Sequence, residues 1–299
     1  MILRRADLDA LLDRMNELQR RTDELAQRLN DLLHRQAVRL SERDFLVRTW
    51  YGWSVVPAED EALLAWMLEH ASKRVPGTAT LMAALIGDGE TVIDVGAHIG
   101  TLAIPAARHV GETGRVIAVE PIPRLAEILK RSAHINGLGD RMRVETCAAG
   151  GHASTGRIHV GQSLALTSLL PIRDEVTSVE VTVRPLDDLV PPRTTISLVK
   201  IDAEGYELEV WRGMQRIVAE NPEVALIVEF GPSHLKRAGI GVDAWLATFL
   251  ERGHRAYEID EESGGCSPLR TSGLADVFSL NLLLLKRPQQ SYPRLLFTP

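Results

Sequence analysis

Cysteine is scarce in this 299-residue chain: Cys147 and Cys266 are its two examples, and they form no C-x-x-C pair. That scarcity excludes a disulfide scaffold and a zinc ribbon, and it suits a reducing compartment. Basic residues are not in excess either, with 34 Lys and Arg against 40 Asp and Glu and a formal net charge of -6. Such a balance gives no global pull toward nucleic acid or an anionic membrane. Long apolar runs are lacking. The longest, Leu280 to Leu285, is interrupted by Asn281 and falls far short of the roughly 20 residues of a membrane span. The first 40 residues are laced with charge and hold no apolar signal segment. No P-loop lysine sequence occurs, which argues against a nucleotide triphosphatase. A cytoplasmic protein is expected, with no nucleic-acid partner and no membrane insertion.

What is present begins with a stripe. Leu8, Leu11, Met15, Leu18, Thr22, Leu25, Leu29 and Leu32 fall at alternating steps of three and four, among Arg, Asp, Glu, Gln and Asn. That is about four heptads, and so narrow a stripe needs a partner helix. Residues 1–44 therefore read as a coiled-coil helix that makes a homo-oligomer, the alternative being an amphipathic helix folded back on its own domain. Residues 45–90 read as a helical and aromatic lead-in covering the active site, with a helix from Glu59 to about Lys73. Trp50, Tyr51 and Trp53 either line a flat-faced substrate site or plug the first helix onto the sheet.

From residue 91 to 299 strands and helices alternate: strands at 91–95, 115–119, 142–147, 196–201 and 223–229, with helices at 100–109, 122–136, 206–220 and 241–252. Near-continuous apolar strands separated by helices predict an α/β, Rossmann-like doubly wound sheet, mostly parallel and covered on both faces. The last strands, near 254–259 and 277–286, lack a helix between them and are expected as an antiparallel edge hairpin. Short strands near 156–160 and 178–184 lie in a loop-rich segment.

Ligands of such sheets bind outside the carboxyl ends of the strands. Asp94-Val95-Gly96-Ala97-His98-Ile99-Gly100 follows the first strand, and Glu120 ends the second. Glycines let backbone approach a ligand, and an acid about 20 residues on accepts both hydroxyls of a ribose. His98 stands where a dinucleotide turn would have its middle glycine. Asp94 would repel phosphates but attract the amino group of a methionine-like moiety. The preferred ligand is S-adenosylmethionine, and a dehydrogenase is disfavoured. Later strand ends carry Lys200-Ile201-Asp202-Ala203-Glu204-Gly205-Tyr206-Glu207 and Glu229-Phe230-Gly231-Pro232-Ser233-His234. Asp202, Glu204, Glu229 and His234 would converge near the cofactor's reactive end. They could deprotonate a hydroxyl or bind a divalent cation such as Mg²⁺ that lowers its pKa.

On these motifs, together with Glu120-Pro121, Leu186-Asp187-Asp188-Leu189 and Val228-Glu229-Phe230, the chain from about Val55 to Lys286 resembles the FkbM-type methyltransferases. The resemblance implies a class I S-adenosylmethionine-dependent O-methyltransferase acting on a hydroxyl of a sugar or glycan, or of a polyketide or other natural product. It implies that Asp94, Gly96 and Gly100 cradle the methionine portion, that Glu120 binds the ribose, and that backbone near Cys147 and Ala148 borders the adenine. His98 stands where the family usually has Asn, so its contact with cofactor or substrate is an open point. Asp202 and Glu204 are then the leading catalytic residues, with Asp202 and Glu229 as metal ligands if a cation is used. Glu204-Gly205 could instead shape a turn and cap the helix near Tyr206. Thr167-Ser168 could meet the substrate. A non-catalytic scaffold with a vestigial enzyme domain is the remote alternative.

Overall fold

The computed structural model describes residues 12, 14–25, 37–70, 75–161, 164, 167–172 and 175–298. Residues 14–25 are helical, and the stripe positions Met15, Leu18, Thr22 and Leu25 are all exposed. Leu8, Leu11, Leu29 and Leu32 lie outside the described residues.

From residue 37 the chain forms a three-stranded antiparallel sheet of β1 (Ala37–Arg39), β2 (Asp44–Thr49) and β3 (Gly52–Pro57). The aromatic cluster is thus a hairpin: Thr49 pairs with Gly52 across Trp50 and Tyr51. Tyr51 is buried in the core with Val92, Val116 and Ala118, and Trp50 packs against that core. Two short helices follow, α1 (Glu61–His70) and α2 (Gly77–Leu85). The second was not expected, and its amino end is closed by a distant side chain, Glu261, whose Oε2 accepts from the Thr78 N–H at 3.0 Å.

The central unit then runs β4 (Thr91–Val95), α3 (Ala103–His109), β5 (Arg115–Val119), α4 (Pro123–Ile135) and β6 (Met142–Glu145). A second sheet interrupts it: β7 (Ala148–Ala149), β8 (Ser154–Val160), β9 (Thr167–Ser168) and β10 (Thr177–Arg184), in the order β7-β10-β8-β9. After α5 (Leu186–Leu189) the main sheet continues with β11 (Leu198–Ile201), α6 (Glu207–Arg212), α7 (Gln215–Glu220), β12 (Ala225–Phe230), α8 (Pro232–Ala238) and α9 (Val242–Leu250). The expected 206–220 helix is broken at Gly213. A Cβ there would meet the Gly150 carbonyl oxygen at 2.0 Å, so the chain bends where two segments touch.

The chain closes with β13 (Arg255–Ile259), β14 (Cys266–Pro268) and β15 (Leu280–Leu285). The main sheet has the order β14-β13-β15-β12-β11-β4-β5-β6, parallel from β12 to β6. β15 runs antiparallel between β12 and β13. The closing strands therefore differ from a simple edge hairpin: β15 is internal and β14 forms the edge. The cause is composition, since Leu282 to Leu285 are apolar on both faces and need cover on both sides. Alternate residues of the parallel strands divide between two cores, Ile93, Val95, Ile117 and Val119 on one face and Val92, Val116 and Ala118 on the other. That is the double cover that the apolar runs predict.

Candidate active site

The tips of β4 and β5 are locked together by backbone. Gly96 and Ala97 donate their N–H groups to the Val119 carbonyl at 2.9 and 3.1 Å. Gly96 sits at φ 74, and a Cβ on it would lie 1.9 Å from the Asp202 carbonyl oxygen, so only glycine lets β4 and β11 tips close on each other. The carboxylate of Glu120 accepts from the His98 N–H at 2.8 Å and the Ile122 N–H at 2.9 Å. Burial, opposed by those two donors, pushes its carboxyl up to about 7.

Asp94 is 1% exposed, and its Oδ1 has no hydrogen-bond partner among the described residues. Burial raises its carboxyl to about 6. The His98 imidazole is lowered to about 4 by burial and is therefore neutral, with Nε2 also unpartnered.

At the tip of β11 the Lys200 ammonium meets Asp202 Oδ2 at 2.8 Å. Burial opposes charge on both, yet each is stabilised by the other: Asp202 is held below the usual carboxylate range and Lys200 above its own. Burial and the Asp202 charge push Glu229 well above the usual range, so it keeps its proton and donates to Asp202. Glu204 is raised to about 8 by burial and by Asp202. Its Oε2 lies 3.1 Å from His234 Nε2, and burial lowers the His234 pKa, leaving it neutral. The turn after Asp202 is held by Glu207, not Glu204: Glu207 Oε1 accepts from the Gly205 and Ala203 N–H groups at 2.9 and 3.2 Å.

These groups surround one cavity of about 550 Å³, the size of an ordinary cofactor site. Asp94, Gly96, His98, Glu120, Ala148, Asp202 and Glu204 all line it, so these seven of the eleven predicted site residues come together there. Glu229 and His234 are not among its lining; they stand behind Asp202 and Glu204. Gly100 does not border it either. Its Cβ position faces Leu129 at 2.4 Å, so this glycine serves the packing of the turn on α4. Cys147 is a core residue whose buried thiol is pushed up to about 11. Thr167 and Ser168 line the cavity, with the Ser168 hydroxyl given to the Glu204 carbonyl at 2.7 Å. Trp50, Tyr51 and Trp53 do not line it, whereas Trp66, Thr78, Lys200, Glu261 and Asn281 do. Of these, only Lys200 lay in a motif that the sequence singled out.

Of Asp202 and Glu229, expected as metal ligands, Asp202 is paired with Lys200, whereas Glu229 stands in a group of potential ligands without it. Among the described residues, Glu204, Glu229 and His234 form a group that could share one ion, with ligand atoms within 4.8 Å of one another.

A family model described as "Methyltransferase FkbM domain" matches residues 94–256, more than half of the chain. The chain belongs to the FkbM methyltransferase family. It is similar to a solved methyltransferase FkbM from Methylobacillus flagellatus KT, at 20% identity and a TM-score of 0.44, over 67% of this chain and 44% of that one. A solved SAM-dependent O-methyltransferase from Thermotoga maritima is 12% identical with a TM-score of 0.41, over 82% of this chain and 78% of the other. Among curated proteins, a probable cobalt-precorrin-6B C(15)-methyltransferase (decarboxylating) of Pyrobaculum aerophilum is 41% identical over 56 residues, 19% of this chain and 29% of that protein. This FkbM-family chain thus spans less than half the length of the FkbM structure and under a third of the curated relative.

Proposed function

We propose that the protein transfers the methyl group of S-adenosylmethionine to a hydroxyl of a sugar or glycan. The observation that carries the donor half is the buried, unpartnered Asp94 Oδ1 in the same cavity as Glu120. A buried acceptor without a partner is costly, and an ammonium group would satisfy it. Asp94 would hold the amino end of the cofactor and Gly96 would let backbone approach it. Glu120, with each oxygen already oriented by a backbone N–H, would accept the ribose hydroxyls, and Ala148 would border the adenine. When bound, the cofactor supplies an electrophilic methyl group on a sulfonium.

The acceptor half rests on Asp202. It lines the cavity and is kept ionised by Lys200, so it can receive the proton of an attacking hydroxyl. Its lowered pKa makes it a weak base. That suffices where most of the rate comes from alignment of nucleophile and methyl carbon. Glu204 would donate a hydrogen bond from the cavity wall, while Glu229 and His234 position these two from behind. The exposed stripe on the amino-terminal helix would make the protein a homo-oligomer.

The test is Asp202→Asn. Transfer should slow by about a hundredfold or more, with affinity for S-adenosylmethionine nearly unchanged by calorimetry; unchanged turnover would remove Asp202 from the chemistry. The same assay with a chelator decides the cation. Loss of activity restored by Mg²⁺ would assign Glu204, Glu229 and His234 to an ion, and indifference to chelator would leave Asp202 as the base.

A further inference from the structure

Two cavity-lining features are not used by the donor site or by the acids around Asp202. The first is Trp66. On α1 the buried residues are Leu63 and Met67, which face the core, while Trp66 lies off that stripe and is 47% exposed. It nevertheless borders the cavity. The indole is braced: the His70 ring, one turn on, stacks against it at 5.6 Å between centroids and 21° between planes. His70 is in turn tied by Nδ1 to the Trp66 carbonyl at 3.2 Å. A large aromatic held rigid in water at the edge of a cavity is a ready platform for an apolar ring face.

The second feature is Asn281, at the start of β15. β15 is antiparallel, so its first residues arrive at the rim where the parallel strands end. Asn281 gives its Nδ2 to Glu261 Oε1 at 3.0 Å. Glu261 is fixed by the Thr78 N–H and the Thr78 hydroxyl. This orientation leaves Asn281 Oδ1 as an acceptor, and it is buried, without a hydrogen-bond partner among the described residues, in a residue that lines the cavity. A buried acceptor left unmet costs about 1–3 kcal/mol. A ligand hydroxyl would meet it.

We propose that Trp66 and Asn281 form the acceptor subsite and select a pyranoside, whose C–H face packs on the indole while a ring hydroxyl donates to Asn281 Oδ1. An open-chain polyol offers hydroxyls without a flat face, and an aliphatic ring offers a face without the hydroxyl. The subsite deepens the methyltransferase reading, on which it rests, by naming what stands beside the methyl donor.

The test uses the full chain saturated with S-adenosylhomocysteine and three probes: methyl β-D-glucopyranoside, methyl β-D-galactopyranoside and methyl α-L-rhamnopyranoside, with glycerol and cyclohexanol as controls. The chain has five tryptophans, so Trp66→Phe identifies one indole N–H resonance by its loss. At least one pyranoside should shift that resonance, and neither control should. Trp66→Ala should weaken binding of that pyranoside about tenfold. Asn281→Leu should weaken it about tenfold as well. Affinity for S-adenosylhomocysteine should be unchanged in both. The proposal is overturned if no pyranoside moves the Trp66 signal, if cyclohexanol moves it equally, or if both variants bind the pyranoside as the parent does. Failure of the parent to bind S-adenosylhomocysteine would refute the methyltransferase reading instead, and the same titration on the unliganded chain would still judge the subsite.

Discussion

Asp94 and Glu120 are stored in the folded protein as acids that hold their protons too tightly. Burial moves Asp94 from 3.8 to about 6 and Glu120 from 4.5 to about 7. An acid whose folded pKa is raised adds stability that is complete below its unfolded value and is lost as pH rises through the folded one. The unliganded protein should therefore lose stability between pH 4.5 and 7, with Glu120 contributing on the order of 3 kcal/mol to that loss. Glu120→Gln removes a titrating group, so its denaturation midpoint should fall less steeply across this window than the parent's. Parallel slopes would show that Glu120 ionises freely. Both acids were legible in the sequence because each ends an apolar strand. The role of Lys200 was not, because a lysine inside an apolar strand reveals its partner only when β4 and β11 are aligned and Asp94 and Asp202 stand beside it. Trp66 and Asn281 carried no signal at all, since a lone tryptophan on a helix and an asparagine in a leucine run look like ordinary exceptions.

At the scale of elements, the β2–β3 hairpin is anchored on α4 by polar contacts over long sequence distances. The Val55 N–H donates to the buried Ser132 hydroxyl at 2.9 Å, and Asn136 accepts from the Trp53 N–H and donates to the Trp53 carbonyl. Asp44 adds ion pairs to Arg124 and Arg131. Ser132→Ala would leave the Val55 donor buried and unmet, at a cost of about 1–3 kcal/mol. Chemical denaturation should show the midpoint fall, and hydrogen exchange should show Val55 lose protection; an unchanged midpoint would mean that another acceptor takes over. Helices and parallel strands were legible because their periodicity is local. The hairpin was obscured because Trp-Tyr is not a usual two-residue turn, which favours Asn-Gly or Asp-Gly. α2 was obscured because the carboxylate that closes its amino end comes from Glu261. Such a cap has no neighbour in sequence to announce it.

The whole molecule presents an unpaired apolar seam on the amino-terminal helix, where Met15, Leu18 and Leu25 are 58%, 59% and 65% exposed. None of these three is covered by the described residues of its own chain. For the homo-oligomer proposed above, a double change, Leu18→Glu with Leu25→Glu, should lower the mass in analytical ultracentrifugation to that of a single chain and leave cofactor affinity intact. A parent that already sediments as a single chain would refute the oligomer. No helix among the described residues is long and apolar enough to cross a membrane.

The cavity also divides unevenly along the chain. Asp94, Glu120, Asp202 and Glu204 fall inside the segment 94–256 shared with the family, whereas Trp66, Thr78, Glu261 and Asn281 fall on either side of it. In the proposed reading, the groups that would hold the donor are thus supplied by the stretch that matches the family model, and those that would choose the acceptor by chain on either side of it, so exchanging Trp66 and Asn281 should change which molecule is marked while the donor stays seated.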